Sequence, residues 1–255
     1  MKGLLELSLI GFVSVSYLIR CRALKKKAVG FIFDLDGTLL DFEMASHEAL
    51  NIPLKRFGKD VTWELHASII GKPHTAWSVE ILNALGIPQH IYPPTQYAKD
   101  WHSCVMKSFP DMQLLPGALE LVARLKQKFP QSKLAIATSS ERINFDVKMS
   151  YHPALLSFFD AIVTGDEIIR GKPSPDIFLE AAKRIKVHPK RCVVFEDSPS
   201  GAIGGKAAGS FVIAVPDERL SAPKAAFGKT DLTIKSLIEL TDEILDDVYQ
   251  KIAIF

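Results

Sequence analysis

Cysteine is scarce in this chain: Cys21, Cys104 and Cys192 are the three in 255 residues. An odd number at irregular spacings gives neither a disulfide framework nor a cysteine-based metal site. Cys192 lies in an apolar run, where a thiol packs as a small hydrophobe. The body therefore reads as a protein of a reducing compartment, and a cytoplasmic location is expected. A dominant charge is also missing. The net charge is +2, from 31 basic and 29 acidic residues, so nothing marks a nucleic-acid partner. Internal repeats and low-complexity tracts are absent, which argues against a repeat array or a long disordered linker.

Long apolar runs are few as well. Leu4 to Ile19 is apolar apart from Glu6 and a few serines, but it is shorter than the roughly 20 residues that usually span a bilayer. Residues 1–27 carry Lys2, Arg20, Arg22, Lys25, Lys26 and Lys27 against Glu6, a net of +5 that leaves −3 for the rest. Three readings stand open for residues 1–26. They suit a secretory signal with Ser14 and Ser16 near a cleavage point, an anchor with its basic flank on the cytoplasmic side, or an extension foreign to the fold. Membrane contact is expected through residues 4–19 alone.

What is present is a chain 47% hydrophobic and 24% charged, enough to bury a core. After residue 27, short apolar strands alternate with amphipathic helices. Strands are expected at Val29–Asp34, Lys133–Thr138, Ala161–Thr164, Cys192–Glu196 and Phe211–Val215. Ala118–Lys128 reads as a helix with Leu119, Val122 and Leu125 on one face. Ser174 is expected to cap a helix that Pro175 and Asp176 begin, and Pro199 to open another that runs to Ala208 and stops at Gly209. The alternation predicts an α/β fold, a Rossmann-like parallel sheet wrapped by helices. Residues 42–113 break the rhythm. They are helical in pattern and hold all three tryptophans, Trp63, Trp77 and Trp101. They read as a helical cap inserted after the first strand, leaving 27–41 and 114–255 as the core.

Strand ends carry the chemistry. Phe31-Ile32-Phe33-Asp34-Leu35-Asp36-Gly37-Thr38 is a buried run that stops in two carboxylates and a glycine turn. Open α/β sheets bind ligands at the carboxyl ends of their strands. One acid there can attack phosphorus while the other handles a proton. Thr138-Ser139-Ser140 ends a second run with hydroxyls and backbone N–H groups suited to phosphoryl oxygens. Lys172, between Gly171 and Pro173, is a cation in a constrained loop. Glu196-Asp197 ends a third run in paired acids, whose burial calls for a cation such as Mg²⁺. Each group also has an ordinary reading: an acidic turn, a Ser/Thr turn, a solvated lysine, a helix cap at Asp197.

Taken in order, these motifs resemble the haloacid-dehalogenase-like superfamily of phosphatases and phosphomutases, over about residues 28–220. The resemblance implies that Asp34 is the nucleophile that becomes an aspartyl phosphate. It implies that Asp36 is the acid and base, and that Thr138, Ser139 and Lys172 bind the phosphoryl group. Mg²⁺ would sit on the Asp34 carboxylate, the Asp36 main-chain carbonyl and Asp197, with Glu196 supporting through water. Leu115-Pro116-Gly117-Ala118, Phe145-Asp146-Val147-Lys148 and Gly171-Lys172-Pro173-Ser174-Pro175-Asp176 are similar to pseudouridine-5′-phosphatase and glycerol-3-phosphatase-like members. Ile70-Gly71-Lys72-Pro73 resembles the family's specificity loop, with Lys72 as the expected leaving-group contact. A Mg²⁺-dependent phosphomonoesterase for a small phosphorylated metabolite such as pseudouridine 5′-phosphate is implied. A glycerol-3-phosphate or sugar-phosphate phosphatase and a sugar phosphomutase are the alternatives. Gly204 and Gly205 depart from the helix-favouring residues of relatives and are expected to weaken their helix.

Overall fold

The computed structural model describes residues 28–70, 72, 74–220, 227–228 and 230–255. The expectations for residues 1–26 lie outside the described residues. Among the described residues, no helix is long and apolar enough to cross a membrane.

Strand β1 (Gly30–Phe33) comes first. It is followed by helices α1 (Phe42–Asn51), α2 (Trp63–Ile69), α3 (His74–Ala84) and α4 (Pro94–Ser108). Then come α5 (Ala118–Lys128), β2 (Lys133–Ala137), α6 (Arg142–Ser150), the short α7 (Pro153–Leu156) and β3 (Ala161–Val163). The chain continues through α8 (Asp176–Arg184), β4 (Cys192–Glu196), α9 (Pro199–Ala207), β5 (Phe211–Ala214), β6 (Leu232–Thr233) and α10 (Asp242–Ala253). The strands form one parallel sheet in the order β3-β2-β1-β4-β5-β6. β1 thus lies at the centre. The order reverses between β1 and β4, which is where an open α/β sheet places its ligand crevice.

A parallel sheet covered on both faces must be apolar on both faces. β1 shows this with all four residues buried. Phe31 and Phe33 join the core on one face with Leu134, Ile136, Val193 and Phe195. Ile32 joins the other with Ala135, Val194, Val212 and the α8 residues Phe178 and Ala181. Strand residues alternate faces with period two. Carried one residue past β1, the alternation puts Asp34 on the Ile32 face, toward the loop that leads into α8. The same step puts Glu196 on the Val194 face, again toward α8.

The expected strands all form, most of them one residue shorter at the carboxyl end. β6 was not expected, because two residues are too few to show a period. Two helix details also differ. The buried face of α5 is Ala118, Leu121, Val122 and Leu125, with Leu119 only partly buried. Ser174 does not cap α8. Pro175 occupies the cap position with no side-chain cap bond, and Ser174 Oγ instead donates to Asp176 Oδ1 at 2.8 Å.

The region from Phe42 to Asp111 contains helices and no strand among its described residues. It has a core of its own, built on Leu50, Leu54, Trp77, Ile81, Leu82, Tyr92 and Tyr97. Asp41 starts this region by accepting from Met44 N, and the Arg219 guanidinium holds Asp41 at 2.6 Å. Arg219 also lies 5.2 Å from the ring centre of Trp63, so one residue of the sheet domain touches both the junction and the helical layer.

Candidate active site

Register builds the site. Phe33 pairs with Ile136 on one side and Phe195 on the other. The next residue, Asp34, is fastened to β4 by its backbone N–H, which donates to Phe195 O at 3.0 Å. Asp34 therefore stands beside Glu196 at the switch point. Phe33 and Phe195 stack on the opposite face with ring centres 4.3 Å apart, which keeps the sheet beneath the acids dry.

The Lys172 ammonium enters from the loop before α8, on the face the alternation indicates. It donates to Asp34 Oδ1 and, at 2.5 Å, to Glu196 Oε1. All three groups are nearly sealed, with side chains at most 7% exposed. The ordinary reading of Lys172 as a solvated surface lysine is thereby excluded. Glu196 is fully engaged: its Oε2 accepts from Ser198 N at 3.1 Å and Ser198 Oγ at 2.9 Å. Asp197 leans across to the first acidic loop. Its Oδ1 accepts from Thr38 Oγ1 at 3.3 Å. A β-carbon on Gly37, whose φ is +86°, would stand 2.2 Å from its Oδ2. Gly37 is thus glycine both for its left-handed backbone and for the approach of Asp197. Asp197 does not cap α9, as the ordinary reading had it. Ser198 does, accepting from Gly201 N at 3.1 Å.

Asp34 and Glu196 with one ammonium make a water-poor cluster that carries an excess of carboxylates once the half-buried Asp197 beside it is included. Burial pushes Asp34 up to about 7, Lys172 pulling it back and Glu196 pushing it further. Burial likewise holds Asp197 well above the usual carboxylate range, with Glu196 and Asp34 adding to it. For Lys172 burial works downward, but Asp34 and Glu196 outweigh it and hold the ammonium above its ordinary value.

Ser198 serves two partners, the α9 N-terminus and Glu196. Ser198→Ala is expected to cost about 1–2 kcal/mol, the usual loss for a helix cap. The midpoint of urea unfolding measures it, and an unchanged midpoint would mean that the cap carries no stability.

Asp36 is in a separate setting. Lys148 Nζ contacts both of its oxygens at 2.6 Å, and Ser140 Oγ donates to Oδ2 at 2.7 Å. Thr138 is buried at the end of β2, its Oγ1 accepting from Ser140 N at 3.1 Å, and Ser139 beside it is exposed. Sequence reasoning missed the part played by Lys148 and Ser140. The available signal was helical spacing: Phe145, Lys148 and Met149 all lie on the buried face of α6.

Lys72 is not in contact with the acid cluster. It pairs with Glu80 at 2.5 Å within the helical layer, its side chain about two-fifths exposed. Its neighbours Gly71 and Pro73 lie outside the described residues. Lys72 lines a cavity of about 190 Å³ with Phe42, Glu43, His66, His74 and Trp101 among its walls. There burial pushes Glu43 up to about 7, helped by the charges of Asp217 and Asp36. Burial also brings His66 down to about 4, with His47 adding to it. His66 Nδ1 and Trp101 Nε1 are buried there with no hydrogen-bond partner among the described residues.

Known proteins resemble this chain over most of its length. The family model for haloacid dehalogenase-like hydrolase matches residues 31–215, from β1 to just past β5. The chain belongs to this family. The hydrolase is 36% identical over 221 residues to an Arabidopsis thaliana bifunctional riboflavin kinase/FMN phosphatase, covering 86% of this chain and 56% of that longer protein. It is 35% identical to the A. thaliana (DL)-glycerol-3-phosphatase 2, covering 83% of this chain and 88% of that one. A Drosophila melanogaster protein named as a probable pseudouridine-5′-phosphatase is also 35% identical, with 79% and 87% covered. Among solved structures, a Thermotoga maritima protein provisionally assigned as a beta-phosphoglucomutase superposes with a TM-score of 0.69 at 31% identity. That match covers 87% of the hydrolase and 99% of the other chain. Three of these relatives are named as phosphatases.

Proposed function

We propose that this hydrolase is a Mg²⁺-dependent phosphomonoesterase that passes through an aspartyl phosphate on Asp34. The observation that carries the reading is the pairing of two acid environments. Asp34 lies in a dry cluster with Lys172, and Asp36, two residues on, is held apart by Lys148 and Ser140.

In this reading an Asp34 carboxylate oxygen attacks phosphorus and the ester P–O bond breaks. Asp36 gives its proton to the departing oxygen. Water then attacks the aspartyl phosphate, Asp36 takes the water's proton, and inorganic phosphate leaves with Asp34 restored. The Thr138 hydroxyl, the Ser139 backbone N–H and Lys172 hold the phosphoryl oxygens. Glu196 fixes Lys172 through Oε1, and in this reading it also supports Mg²⁺ through water. Phosphate-monoester hydrolysis is among the slowest uncatalysed reactions, so no single one of these groups suffices.

Among the described residues no group of three or more His, Cys, Asp and Glu side chains forms a ready metal cage. Mg²⁺ rarely uses one. It takes one or two carboxylates, carbonyl oxygen, water and substrate phosphate. Asp34, Asp197 and the Asp36 carbonyl form such a set, and the excess negative charge of the cluster favours a cation. Bound there, Mg²⁺ would neutralise charge on the transferring phosphoryl group.

The cavity around Lys72, His66 and Trp101 offers the leaving group a mixed aromatic and polar wall. It suits a small nucleoside or sugar monophosphate, with pseudouridine 5′-phosphate preferred. Purified protein with Mg²⁺ is expected to release phosphate from at least one of pseudouridine 5′-phosphate, FMN, glycerol 3-phosphate and hexose phosphates. A chelator is expected to stop the release. Silence across that panel would count against the reading. The Thermotoga neighbour favours one other reading, a sugar phosphomutase. Accumulation of a sugar bisphosphate without net phosphate would decide for it.

A further inference from the structure

A lysine is an expensive residue to bury. Lys148 is 1% exposed, on a helix face it shares with Phe145 and Met149, where leucine would pack more cheaply. Its three N–H donors are fully assigned. Two meet the Asp36 oxygens at 2.6 Å and the third meets Ser140 Oγ at 2.8 Å. The ammonium lies 5.2 Å from the ring centre of Phe42 and 5.7 Å from that of Phe109, within reach of a cation–π attraction. Phe42 opens α1 and Phe109 follows α4, so the lysine is wedged where the chain leaves the sheet and returns to it. Asp36, meanwhile, keeps about one-fifth of its side chain exposed. The carboxylate is therefore fixed on its inner side and open on its outer side.

We propose that Lys148 is a positioning residue for proton transfer. With Ser140, it holds the Asp36 carboxylate in the one orientation from which it can reach the leaving oxygen. This rests on the reading of Asp36 as acid and base. An ordinary buried ion pair would stabilise the fold and leave the chemistry of the leaving group untouched. A positioning residue makes a narrower demand: losing it hurts most the substrates that need a proton most.

The test compares kcat/KM for phenyl phosphate and p-nitrophenyl phosphate, with Mg²⁺, in the full-length protein. The nitro compound leaves readily without a proton and the phenyl compound does not. kcat/KM reports steps up to the first irreversible one, here phosphoryl transfer to Asp34. The ratio between the two substrates is unaffected by a misfolded fraction. Asp36→Asn is expected to lower the phenyl value by about 10²–10⁴-fold, the usual range for an acid–base group, and the nitrophenyl value far less. Lys148→Met is expected to shift the ratio the same way, by about tenfold, a part of that effect. Ser140→Ala, a milder change, is expected to shift it in the same direction and covers the case in which Lys148→Met does not fold. Equal losses on both substrates in the Lys148 and Ser140 variants, beside a discriminating Asp36→Asn, overturn the positioning role alone. Equal losses in Asp36→Asn overturn the acid assignment, and the positioning role with it.

Discussion

Asp34→Asn is expected to lower kcat by at least about 10⁴-fold, the scale of losing a nucleophile, and yet to melt higher than the parent at pH 8 without metal. The two readouts move oppositely for one reason. A nucleophilic carboxylate must be ionised and dry, and burial makes that state costly. Asp34 is raised to about 7 from an ordinary 3.8, burial being the largest cause. The folded protein therefore binds a proton here more tightly than the unfolded chain does. Stability from this group is full below about pH 4 and declines as pH rises toward 7. Asparagine has no charge to bury, so the variant lacks that decline. The difference in thermal midpoint is expected to be positive at pH 8 and to shrink by pH 5. Lys172 keeps Glu196 as a partner in the variant, which limits the loss on the other side. Wild-type turnover in the variant would remove Asp34 as nucleophile. A lower midpoint at pH 8 would remove the argument from buried charge.

Asp34, Glu196 and Asp197 were legible because their positions follow from strand geometry, whereas Lys172 stands in a loop and was legible only through the family resemblance. An apolar strand that ends in an acid, in a parallel sheet, leaves that acid at the carboxyl edge, and register does the rest. Lys148 was not legible in the same way. A lysine on an amphipathic helix ordinarily faces water, and only its spacing from Phe145 and Met149 says otherwise. Lys72 shows the opposite case. The resemblance matched this loop lysine to a specificity role, strand geometry says nothing of what it meets, and in the structure it pairs with Glu80 while lining the cavity of the helical layer. Gly205 carries a packing requirement that the sequence did not show. Helix propensity counts glycine as a weakness, but a β-carbon there would stand 2.9 Å from Val212 and 3.1 Å from Val194. At Gly204 the nearest atom would be Ser174 O at 3.1 Å. The helix lies so close to the sheet and to the Lys172 loop that a larger side chain would push it away. Propensity is local, and this closeness is not.

Lys172→Met is the stronger challenge to the site, because it removes the cluster's cation and leaves its acids in place. Asp34 and Glu196 would share a dry space with no ammonium in contact, with Asp197 half-buried nearby. Breaking a buried ion pair from one side typically costs about 3–5 kcal/mol, a large share of the total for a domain of this kind. The cost should depend on pH. The Lys172 ammonium is held above its ordinary value, so in the parent its contribution is complete across neutral pH and is lost only in strong alkali. In the variant Asp34 loses its counter-charge and takes up a proton more readily still. Its deficit in urea unfolding is therefore expected to be largest near pH 8 and to narrow by pH 5.5, where Asp34 is already neutral in the parent. Turnover behaves differently. Loss of a donor to the transferring group costs on the order of 10³-fold or more, and acidification does not restore the missing contact. Added Mg²⁺ is expected to recover part of the stability, since a cation among carboxylates stabilises the folded form, and little of the rate. Recovery of both together would mean that Lys172 serves only to neutralise the acids. A pH-independent deficit would mean that its partners are not ionised in the fold.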